Sequence, residues 1–590
     1  METVLGIDLG TTNSVVAVYR NGRAEVLRED GEALLPSVVG LDDRGQIIVG
    51  TPARNQAVLA PDRTVRSIKR QMGQDVRVRL GDREFTPQEI SATILRRLKE
   101  RAENVLGHPV GKAVITVPAF FNEVQREATR QAGELAGLEV VRIINEPTAA
   151  ALAYDPQPSG RERLLVYDLG GGTFDVSVVQ IERGVVEVLA SHGDTHLGGD
   201  DFDQALLDYV CDRFQEEHKI DLRAELASRA RVLRAVEDAK KVLSFEPLAT
   251  IEEEFIAETA GVPLHLRMEI RREEYEALIG PWLERTLSSV DQAIAAAQLH
   301  AQQIDRVVLM GGVTRTPLVQ SLLDERLRQP LHLEINPDLG VALGAAIQGG
   351  MIAGEDVGPV LVDITPHTLG IAALGYMHGL YSQHSFSPII PRNTPLPASR
   401  AELYTTAVDG QKQVLISVFQ GEDEDSRRNE HVGEFLLEGL ADVDRGNELL
   451  VRFDLDLDGI LKVSAIERAT GKAKALVIDN AARRFRQTQA ALFDEAPAPP
   501  TFEYDAAEPP AWQPAGEAVG DSSENVEARK RAEELLARSR RLLEGARPQD
   551  AEDLSRTIVE IETALAERDG LKLVRLTAEL EDLVFYLQDA

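Results

Sequence analysis

Two glycine-rich segments with the same Asp-Leu-Gly start constrain the fold of this chain more than any other feature. The first is Asp8-Leu9-Gly10-Thr11-Thr12-Asn13-Ser14, and the second is Asp168-Leu169-Gly170-Gly171-Gly172-Thr173-Phe174-Asp175. Each lies between two short runs rich in β-branched residues, which predicts a strand–turn–strand unit. One such turn is typical of an ordinary hairpin. Two copies favour a duplicated half-domain that clamps a nucleotide, because glycine lets backbone N–H groups approach phosphate oxygens and threonine hydroxyls add donors.

A few charged residues beside these turns predict phosphoryl transfer to water. Asp8 and Asp168 are candidates for holding the hydration shell of Mg²⁺, an ion that keeps several waters in protein sites. The reaction also needs a cation on the leaving charge and a carboxylate near the attacking water. Lys69 is the candidate cation, and Glu146 and Asp175 are the candidate carboxylates. In isolation each of these is more often a solvated surface charge, so the prediction depends on the paired turns.

The order of strand-like and helical patterns divides the 590-residue chain into several domains. Residues 1–357 alternate strands with amphipathic helices, which is typical of an α/β domain. Strands are predicted at 4–7, 15–19, 113–117, 164–167 and 176–181, and helices at 88–106, 122–137 and 231–243.

The pattern changes after a short linker at 358–363. Residues 364–480 alternate apolar and polar positions, with hairpin turns predicted at Asp409-Gly410 and Asp458-Gly459, which favours a β-sandwich. Residues 481–524 are Pro-rich and predict an extended linker, and 525–590 predict a small α-helical bundle.

The amino-acid composition limits the classes of binding partner and the cellular compartment that are expected. A formal charge of −33 disfavours nucleic acid and anionic membranes, because both reward basic surfaces. A single cysteine, Cys211, rules out a disulfide framework and fits a reducing compartment. The first residues lack a basic stretch followed by an apolar one, so no signal peptide is predicted and a cytoplasmic location is expected.

Several further motifs, taken in order, resemble the heat-shock protein 70 family. They are the segments 6–14, 117–121 (Val-Pro-Ala-Phe-Phe), 144–154, 168–175, 196–203 (His-Leu-Gly-Gly-Asp-Asp-Phe-Asp), 311–315 (Gly-Gly-Val-Thr-Arg), 336–338 and 344–350. The resemblance covers about residues 1–480 and is weaker in the helical C-terminal part. It implies an actin-like α/β ATPase domain of two ribonuclease-H-like halves, a β-sandwich peptide-binding domain and a C-terminal α-helical bundle.

The resemblance also implies roles for individual residues around ATP or ADP. It assigns catalysis to Lys69, Glu146, Thr173 and Asp175, and water-mediated Mg²⁺ binding to Asp8 and Asp168, with K⁺ as a further ion. The implied nucleotide-binding residues are Asp8, Gly10, Thr11, Thr12, Asn13, Gly170, Gly171, Gly172, Glu237, Lys240, Lys241, Ser244, Gly311, Gly312 and Arg315. The four from Glu237 to Ser244 fall at i, i+3, i+4 and i+7, so one helix face can carry them.

The resemblance further implies coupling between the ATPase domain and the β-sandwich. Pro118 and Arg126 match a relay, Arg142 belongs to the interdomain surface, and the apolar linker with Leu361 and Asp363 docks on the ATPase domain in the ATP state. On its residues alone, the linker predicts a core strand. By motif, a peptide pocket is formed by Ile371, Leu374, Tyr404, Ala407, Val414 and Ile416, with Leu374 and Ala407 as a bridge over the peptide.

The sequence departs from the family in several places, among them the linker and the lid; after Gly73 it also lacks a segment that many Gram-negative relatives carry. Pro359 and Val362 interrupt the usual leucine run of the linker, and the Pro-rich stretch after the β-sandwich replaces the start of a long lid helix. The helical bundle is therefore predicted to be tethered rather than continuous with the β-sandwich. The C-terminus also differs from the Glu-Glu-Val-Asp tail of eukaryotic cytosolic relatives, which favours a bacterial origin.

The leading hypothesis is an ATP-dependent molecular chaperone that binds exposed apolar segments of unfolded proteins. Its ATPase is expected to be slow and stimulated by a J-domain cochaperone, with a nucleotide exchange factor as a further partner and a monomeric chain. The alternatives are a specialised relative with a dedicated client, such as an iron–sulfur scaffold, and a non-cycling nucleotide-binding cochaperone. A filament-forming or sugar-phosphorylating actin-fold protein is disfavoured, because neither needs the β-sandwich at 364–480.

Overall fold

The structure, a computed structural model, describes residues 2–154, 160–332, 334–355, 357, 360–377 and 380–477, together with Ser539, Ile558 and Ile561. The chain divides into two compact units, Met1–Pro509 and Pro510–Ala590. In the second unit the three described residues are helical and buried. The rest of the predicted helical bundle, the Pro-rich linker and Pro359 lie outside the described residues.

The N-terminal region contains two α/β lobes. The first lobe has strands β1 (Val4–Asp8), β2 (Asn13–Arg20), β3 (Arg23–Val26), β4 (Leu35–Pro36), β5 (Val39–Leu41), β6 (Ile47–Val49), β7 (Thr64–Val65), β8 (Val78–Leu80), β9 (Arg83–Phe85), β10 (Lys112–Val117) and β11 (Glu139–Asn145). Its helices are α1 (Thr51–Gln56), α2 (Pro87–Leu106), α3 (Glu123–Leu135) and α4 (Glu146–Tyr154), and the segment Ile68–Gln71 is a 3₁₀ turn.

The second lobe has strands β12 (Glu162–Leu169), β13 (Phe174–Glu182), β14 (Val185–Asp194), β15 (Leu248–Thr259), β16 (Val262–Arg271), β17 (Arg306–Met310) and β18 (Leu331–His332), joined by the linker strand β19 (Val360–Val362). Its helices are α5 (Gly199–His218), α6 (Leu226–Leu243), α7 (Arg272–Ala296), α8 (Pro317–Leu327) and α9 (Gly340–Ile352).

The two central sheets repeat one another, which confirms the predicted duplication. The first has the order β11-β10-β1-β2-β3, and the second has β18-β17-β12-β13-β14. In each sheet the glycine-rich turn joins two antiparallel strands, β1–β2 or β12–β13, and the next strand outward, β10 or β17, runs parallel to the first. Both turns therefore stand at equivalent places on the two lobes and face a common cleft.

Helices α4 and α9 join the lobes through close backbone contact. A Cβ at Gly344 on α9 would lie 1.7 Å from the Ala149 carbonyl oxygen on α4, and one at Gly6 would lie 2.1 Å from the Ala346 nitrogen. Only glycine permits such an approach. Because α4 begins at Glu146 directly after β11, this packing also fixes where the predicted catalytic carboxylate stands.

The predicted helices agree with the structure within a few residues at most ends. Thr86 caps α2 through a hydrogen bond from the Glu89 N–H, and Gly107 ends it in the left-handed region. Asn122 caps α3 in the same way, accepting from the Gln125 N–H. Helix α6 begins at Leu226, five residues before its predicted start at Arg231.

The β-sandwich consists of two antiparallel four-stranded sheets. Its strands are β20 (Leu369–Met377), β21 (Leu380–Ile390), β22 (Ala398–Thr405), β23 (Gln413–Gln420), β24 (Glu430–Glu438), β25 (Glu448–Leu455), β26 (Leu461–Glu467) and β27 (Ala473–Val477). One sheet has the order β21-β20-β23-β24 and the other β22-β25-β26-β27. Leu369, Val418, Phe453 and Val463 are among the side chains buried between them.

One predicted hairpin of the sandwich is confirmed and one is wrong. Asp458-Gly459 joins the paired strands β25 and β26, and Gly459 has φ +77°. Asp409-Gly410 does form a turn, with Gly410 at φ +63°, but it connects β22 to β23, which belong to different sheets. Turn residues show where the chain reverses and leave open whether the flanking strands pair, so this error follows from the limits of the signal.

The linker strand β19 adds to the edge of the second-lobe sheet. Its residues pair in parallel with β14, with Leu361 opposite Val186 and Val362 opposite Glu187. The apolar run is therefore a strand, as its residues alone predict, and it is docked on the second lobe, in line with the docking that the resemblance implies.

Candidate functional site

A cavity of about 330 Å³ lies between the lobes, and the glycine-rich turns form part of its wall. The sequence-predicted residues that line it are Asp8, Gly10, Thr11, Thr12, Asn13, Lys69, Glu146, Asp168, Gly170, Gly171, Thr173, Glu237, Lys240, Lys241, Ser244, Gly311, Gly312 and Arg315. Residues dispersed over more than 300 positions of sequence thus meet around one space. A cavity of this size suits a mononucleotide.

Two predicted residues, Gly172 and Asp175, stand behind that wall. The Gly172 carbonyl accepts a hydrogen bond of 3.0 Å from Arg70 Nε, and Asp175 pairs across the hairpin with Asp168. Asp175 Oδ1 accepts a hydrogen bond of 3.1 Å from the Phe120 backbone N–H. The hairpin thereby places Asp168, which lines the cavity, directly opposite the buried Asp175.

The two turns contact each other directly. A Cβ at Gly171 would lie 1.8 Å from Thr12 Oγ1, and a Cβ at Gly172 would lie 2.5 Å from Thr11 Cγ2. The glycines therefore leave the backbone N–H groups of one lobe beside the threonines of the other. This arrangement provides donors from both sides for a phosphate chain.

Lys69 brings the predicted catalytic charges together. Its side chain is buried and forms an ion pair with Glu146, with its ammonium 5.9 Å from the centre of the Phe121 ring. Burial lowers the pKa of Lys69, but Glu146 and Asp8 more than compensate, so that the pKa is raised and the side chain stays a cation.

The carboxylates around Lys69 outnumber it. Burial and then Glu146 raise the pKa of Asp8 to about 7 and that of Asp175 to about 8, and they raise the pKa of Asp168 well above its ordinary value. Such shifts mean that negative charges are crowded in a place that water does not screen. A divalent cation would relieve this repulsion.

The donor set fits Mg²⁺ held through water. Among the described residues no group of three His, Cys, Asp or Glu side chains is arranged as a direct metal-binding set. Mg²⁺ dehydrates reluctantly and is often held by one or two carboxylates plus substrate phosphates. Asp8 and Asp168, the residues predicted for that role, both line the cavity, and their binding of Mg²⁺ stays a prediction.

The far end of the cavity is closed by ion pairs that the sequence did not reveal. Glu237 on α6 pairs with Arg66 at 2.7 Å and with Arg54 at 3.3 Å, both from the first lobe, and with Lys241 at 2.7 Å. Although burial opposes it, Arg66 and then Lys241 lower the pKa of Glu237 to about 2. These contacts cross the cleft, so they resist its opening.

Further cavity residues escaped the sequence analysis. Asp203 pairs with Lys240 at 2.7 Å, and Asp338 pairs with Arg315 at 2.7 Å, so each fixes the side chain of a predicted nucleotide-binding residue. The others are Leu34, Arg54, Gly199, Val313, Thr316, Pro337 and Val341. Asp203 belongs to the motif 196–203 and Asp338 to the motif 336–338, so their membership of these motifs could have revealed them.

The predicted coupling residues form a chain from the cavity to the β-sandwich. Arg126 donates to Asn145 Oδ1 at 2.6 Å, Asn145 Nδ2 donates to Asp363 Oδ2 at 2.9 Å, and Thr148 Oγ1 donates to the same oxygen at 3.2 Å. Asp363 ends the docked linker, and burial raises its pKa. Asn145 immediately precedes Glu146, so these contacts extend to the predicted catalytic carboxylate.

A second set of contacts centres on Asp458 at the β25–β26 turn. Arg130 forms an ion pair with it, Arg142 Nε lies 3.2 Å from Asp458 Oδ1, and the Ile143 N–H donates to that oxygen at 3.2 Å. Arg142 therefore lies on the interdomain surface, as predicted. The sequence marked Asp458 only as a turn residue, because nothing local distinguishes the two uses.

The segment from Pro118 to Phe121 connects both sides. Pro118 is buried, and its carbonyl accepts a hydrogen bond of 3.1 Å from the Phe121 N–H. The Phe120 N–H donates to Asp175, while the Phe120 carbonyl accepts from His367 Nε2 at 3.2 Å. One residue thus joins a catalytic candidate to the β-sandwich.

The predicted peptide-site residues divide into two groups. Ile371 and Ile416 are buried in the sandwich core, and Tyr404 and Val414 pack against it. Leu374 and Ala407, the predicted bridge, are exposed. Burial also shows that Val414 and Ile416 share the inner face of β23, as predicted from alternation. Their contact with a peptide stays a prediction.

None of the helices that the structure describes combines the length and apolar character needed to cross a membrane.

Comparison with known proteins gives one consistent result. The family described as "Hsp70 protein" matches residues 4–588. "Chaperone protein DnaK" of Thermotoga petrophila is 48% identical over 486 residues, which is 81% of this chain and 80% of the relative. The protein of the same name from Thermosipho africanus is 46% identical over 485 residues, with 81% and 80% covered.

Proposed function

The chain belongs to the heat-shock protein 70 family, and on that premise we propose which of its residues carry out the chaperone cycle. It is an ATP-dependent molecular chaperone, and its enzymatic activity is the hydrolysis of ATP to ADP and phosphate. Nothing in the comparisons favours a dedicated client or a non-cycling cochaperone. The single observation that supports the residue roles is the cavity lined by both glycine-rich turns and by Lys69 and Glu146.

Lys69 and Glu146 act as a unit in this proposal. The buried ion pair holds the Lys69 ammonium in the cavity, where it offsets the negative charge that develops during phosphoryl transfer. MgATP would supply the phosphoryl group and a divalent charge, and Asp8 and Asp168 would hold the ion through its water shell. The hydroxyl of Thr173, at the end of the second turn, donates a hydrogen bond to the phosphate.

Asp175 accepts the proton of the attacking water. Burial raises its pKa to about 8, so its ionised form is a stronger base than an exposed aspartate, and the divalent charge of MgATP would favour that ionised form. Its Oδ2 atom is buried without a hydrogen-bond partner in the structure, so Asp175 keeps one unused acceptor behind the cavity wall. The Phe120 N–H on Oδ1 fixes its orientation.

The nucleotide base lies at the α6 end of the cavity. Glu237, Lys240, Lys241 and Ser244 contact the adenosine from one side, and Gly311, Gly312 and Arg315 cover the other. Support comes from the location of all seven residues on the cavity wall. The paired turns hold the phosphates through Gly10, Thr11, Thr12, Asn13 and Gly170 to Gly172.

Coupling follows the two chains of contacts described above. Loss of the phosphate charge changes the electrostatic balance among Lys69, Glu146 and Asp175, so these side chains shift. Asn145, next to Glu146, transmits the shift to Asp363. Phe120, bonded to Asp175, transmits it to His367. Release of Asp363 and of the β19 strand frees the β-sandwich. Pro118, Arg126, Arg142 and Leu361 stabilise the docked state.

Peptide binding is assigned to the β-sandwich, with Ile371, Leu374, Tyr404, Ala407, Val414 and Ile416 around the peptide. An extended apolar segment would be held by backbone hydrogen bonds and one small pocket. Chaperones of the DnaK type work with J-domain cochaperones and nucleotide exchange factors, and this chain is proposed to use both. A monomeric state, a cytoplasmic location and K⁺ binding complete the proposal.

Single-turnover hydrolysis of radiolabelled ATP tests these roles. Lys69→Ala should slow the chemical step at least 100-fold, because a donor aimed at developing charge contributes about that much, while ATP binding persists. Lys219→Ala, which alters an exposed lysine on the second lobe that does not line the cavity, is the control. Turnover that survives Lys69→Ala would remove the cation from the mechanism. In the wild type, an apolar peptide together with a J-domain should accelerate turnover, and absence of acceleration would contradict the coupling.

A further inference from the structure

The β20–β21 hairpin projects beyond the sheet to which it belongs. Strand β20 pairs with β23 only at Leu369, Gly370 and Ile371, whereas its pairing with β21 continues to Met377. Residues 372–377 and 380–386 therefore form a two-stranded ribbon, here called the hairpin arm, whose base is held by a hydrogen bond of 2.8 Å from the Phe386 N–H to the Glu424 carbonyl. Beyond that base a two-stranded ribbon is marginally stable by itself in water, so its length calls for an explanation.

The hairpin arm presents large apolar side chains to solvent. Leu374, Tyr376 and Tyr381 are 59%, 69% and 79% exposed. Tyr376 and Tyr381 are direct cross-strand partners, and their rings form an edge-to-face pair with centres 5.5 Å apart. Leu374 and Tyr376 stand two positions apart on one strand, a spacing that places both on one side of a ribbon.

The surrounding sequence carries no charge. Residues 366–391 contain no Asp, Glu, Lys or Arg, in a chain whose charged fraction is 27%. An uncharged ribbon bearing two tyrosines does not match a nucleic acid or an anionic membrane, both of which reward basic side chains. Its chemistry matches an apolar or aromatic polypeptide segment, since tyrosine provides a large contact area at a low cost in conformational entropy.

We propose that the hairpin arm is a second contact surface for client polypeptides, on which Tyr376 and Tyr381 hold apolar or aromatic residues that flank the segment in the main pocket. The inference rests on the proposed peptide site, because the arm includes Leu374, one half of the proposed bridge, and continues beyond it to the tyrosines. Two residues of strand span about 7 Å, so a chain leaving the bridge meets the tyrosine pair within a few residues.

The Tyr376–Tyr381 pair does more than is needed to stabilise the hairpin. Cross-strand aromatic contacts do stabilise ribbons, but they need only the facing edges of the rings. Here most of both side chains remains in water. The exposed area is what a flanking side chain of a client would cover.

The test compares two peptides on the full chain with ADP. One is a seven-residue leucine-centred peptide, and the other has the same centre extended at both ends by segments that contain phenylalanine. Binding is followed by fluorescence anisotropy. Tyr376→Ser combined with Tyr381→Ser should weaken binding of the long peptide about tenfold and leave the short peptide unchanged. The matched control, Tyr376→Phe with Tyr381→Phe, keeps the rings and should bind both as the wild type does.

The remaining outcomes overturn the inference. Equal affinity of wild type and serine variant for the long peptide removes the tyrosines from client binding. An equal loss for both peptides assigns them a structural role in the sandwich. Self-association of the wild type that the serine variant abolishes, seen by sedimentation, makes a second copy the occupant. Failure of the wild-type chain to bind the short peptide counts against the proposed peptide site itself, and is therefore distinguishable.

Discussion

Lowering the pH should weaken the docking of the β-sandwich on the ATPase region through His367. In the docked structure its Nε2 donates to the Phe120 carbonyl oxygen at 3.2 Å, and the two rings lie 4.4 Å apart. Burial lowers the pKa of His367 from 6.5 to about 4, against the opposing effects of the Phe120 carbonyl and Glu422. Arg126 and His192 lower it further.

The sign follows from proton counting. Once the sandwich leaves, His367 returns to water and its pKa returns towards 6.5, so the docked state binds fewer protons than the free state. The contribution of His367 to docking is therefore constant well above pH 6.5, and it weakens docking as the pH falls through that value towards 4. Between pH 7.5 and 5.5 the loss is about 1.3 kcal/mol, or roughly ninefold in the docking equilibrium.

A carboxyl at the same interface acts in the opposite direction. The Glu123 N–H donates to Gln420 of the sandwich, and burial raises the pKa of the Glu123 side chain to about 8, although Arg126 opposes the shift. Asp456 of the sandwich adds to it. Glu123 therefore takes up a proton on docking, which favours docking as the pH falls below about 8. The contribution of His367 must be read from a difference between variants in which Glu123 is retained.

The assay is energy transfer between fluorophores on the ATPase region and the β-sandwich, in ATP. Cysteines replacing the exposed residues Asp43 and Lys412, in a Cys211→Ala background, carry the dyes. Relative to His367→Leu, the wild type should lose about 1.3 kcal/mol of docking between pH 7.5 and 5.5. His431→Leu, which alters a half-exposed histidine packed on Phe419, should follow the wild type. Parallel pH curves for wild type and His367→Leu would refute the reasoning.

Two further substitutions test the turns and the interface. Gly171→Ala would place a Cβ 1.8 Å from Thr12 Oγ1, so the turns must separate, and ATP affinity measured by calorimetry should fall at least tenfold without loss of the folded state. Asp458→Asn removes the charge that faces Arg130 and Arg142, and it should weaken docking by about 1–3 kcal/mol in the energy-transfer assay. Unchanged docking would mean that the two arginines find other partners.

The sequence identified most of the residues that line the cavity, because the signals that mark them are local. Each glycine-rich turn is contiguous, and the spacing of Glu237, Lys240, Lys241 and Ser244 already defines a helix face. The closing ion pairs were missed because Arg54 and Arg66 come from another lobe, and local sequence does not specify which distant carboxylate an arginine meets. The wrong hairpin at Asp409-Gly410 has the same cause. The turn is encoded locally, but the topology of the sandwich decides which strand pairs with which.

The residues at the interface between the ATPase region and the β-sandwich were harder to predict from the sequence. Arg142 and Asp363 were predicted from family motifs, whereas His367, Asn145 and Asp458 acquire their roles only when two domains meet. A histidine in a strand-rich segment carries no sign of being buried against a carbonyl of another domain. Its perturbed pKa is a property of the docked structure and not of the local sequence.

The duplication of the two sheets holds for the pairing of the backbone but not for charge. Asp8 and Asp168 occupy equivalent positions on the two lobes, but the residue paired across the hairpin from Asp8 is Val15, whereas the one paired across from Asp168 is Asp175. The second hairpin therefore carries two carboxylates side by side where the first carries one. The proposed base thus stands on the lobe whose hairpin concentrates the negative charge, and a single valine-to-aspartate difference separates the two otherwise equivalent positions.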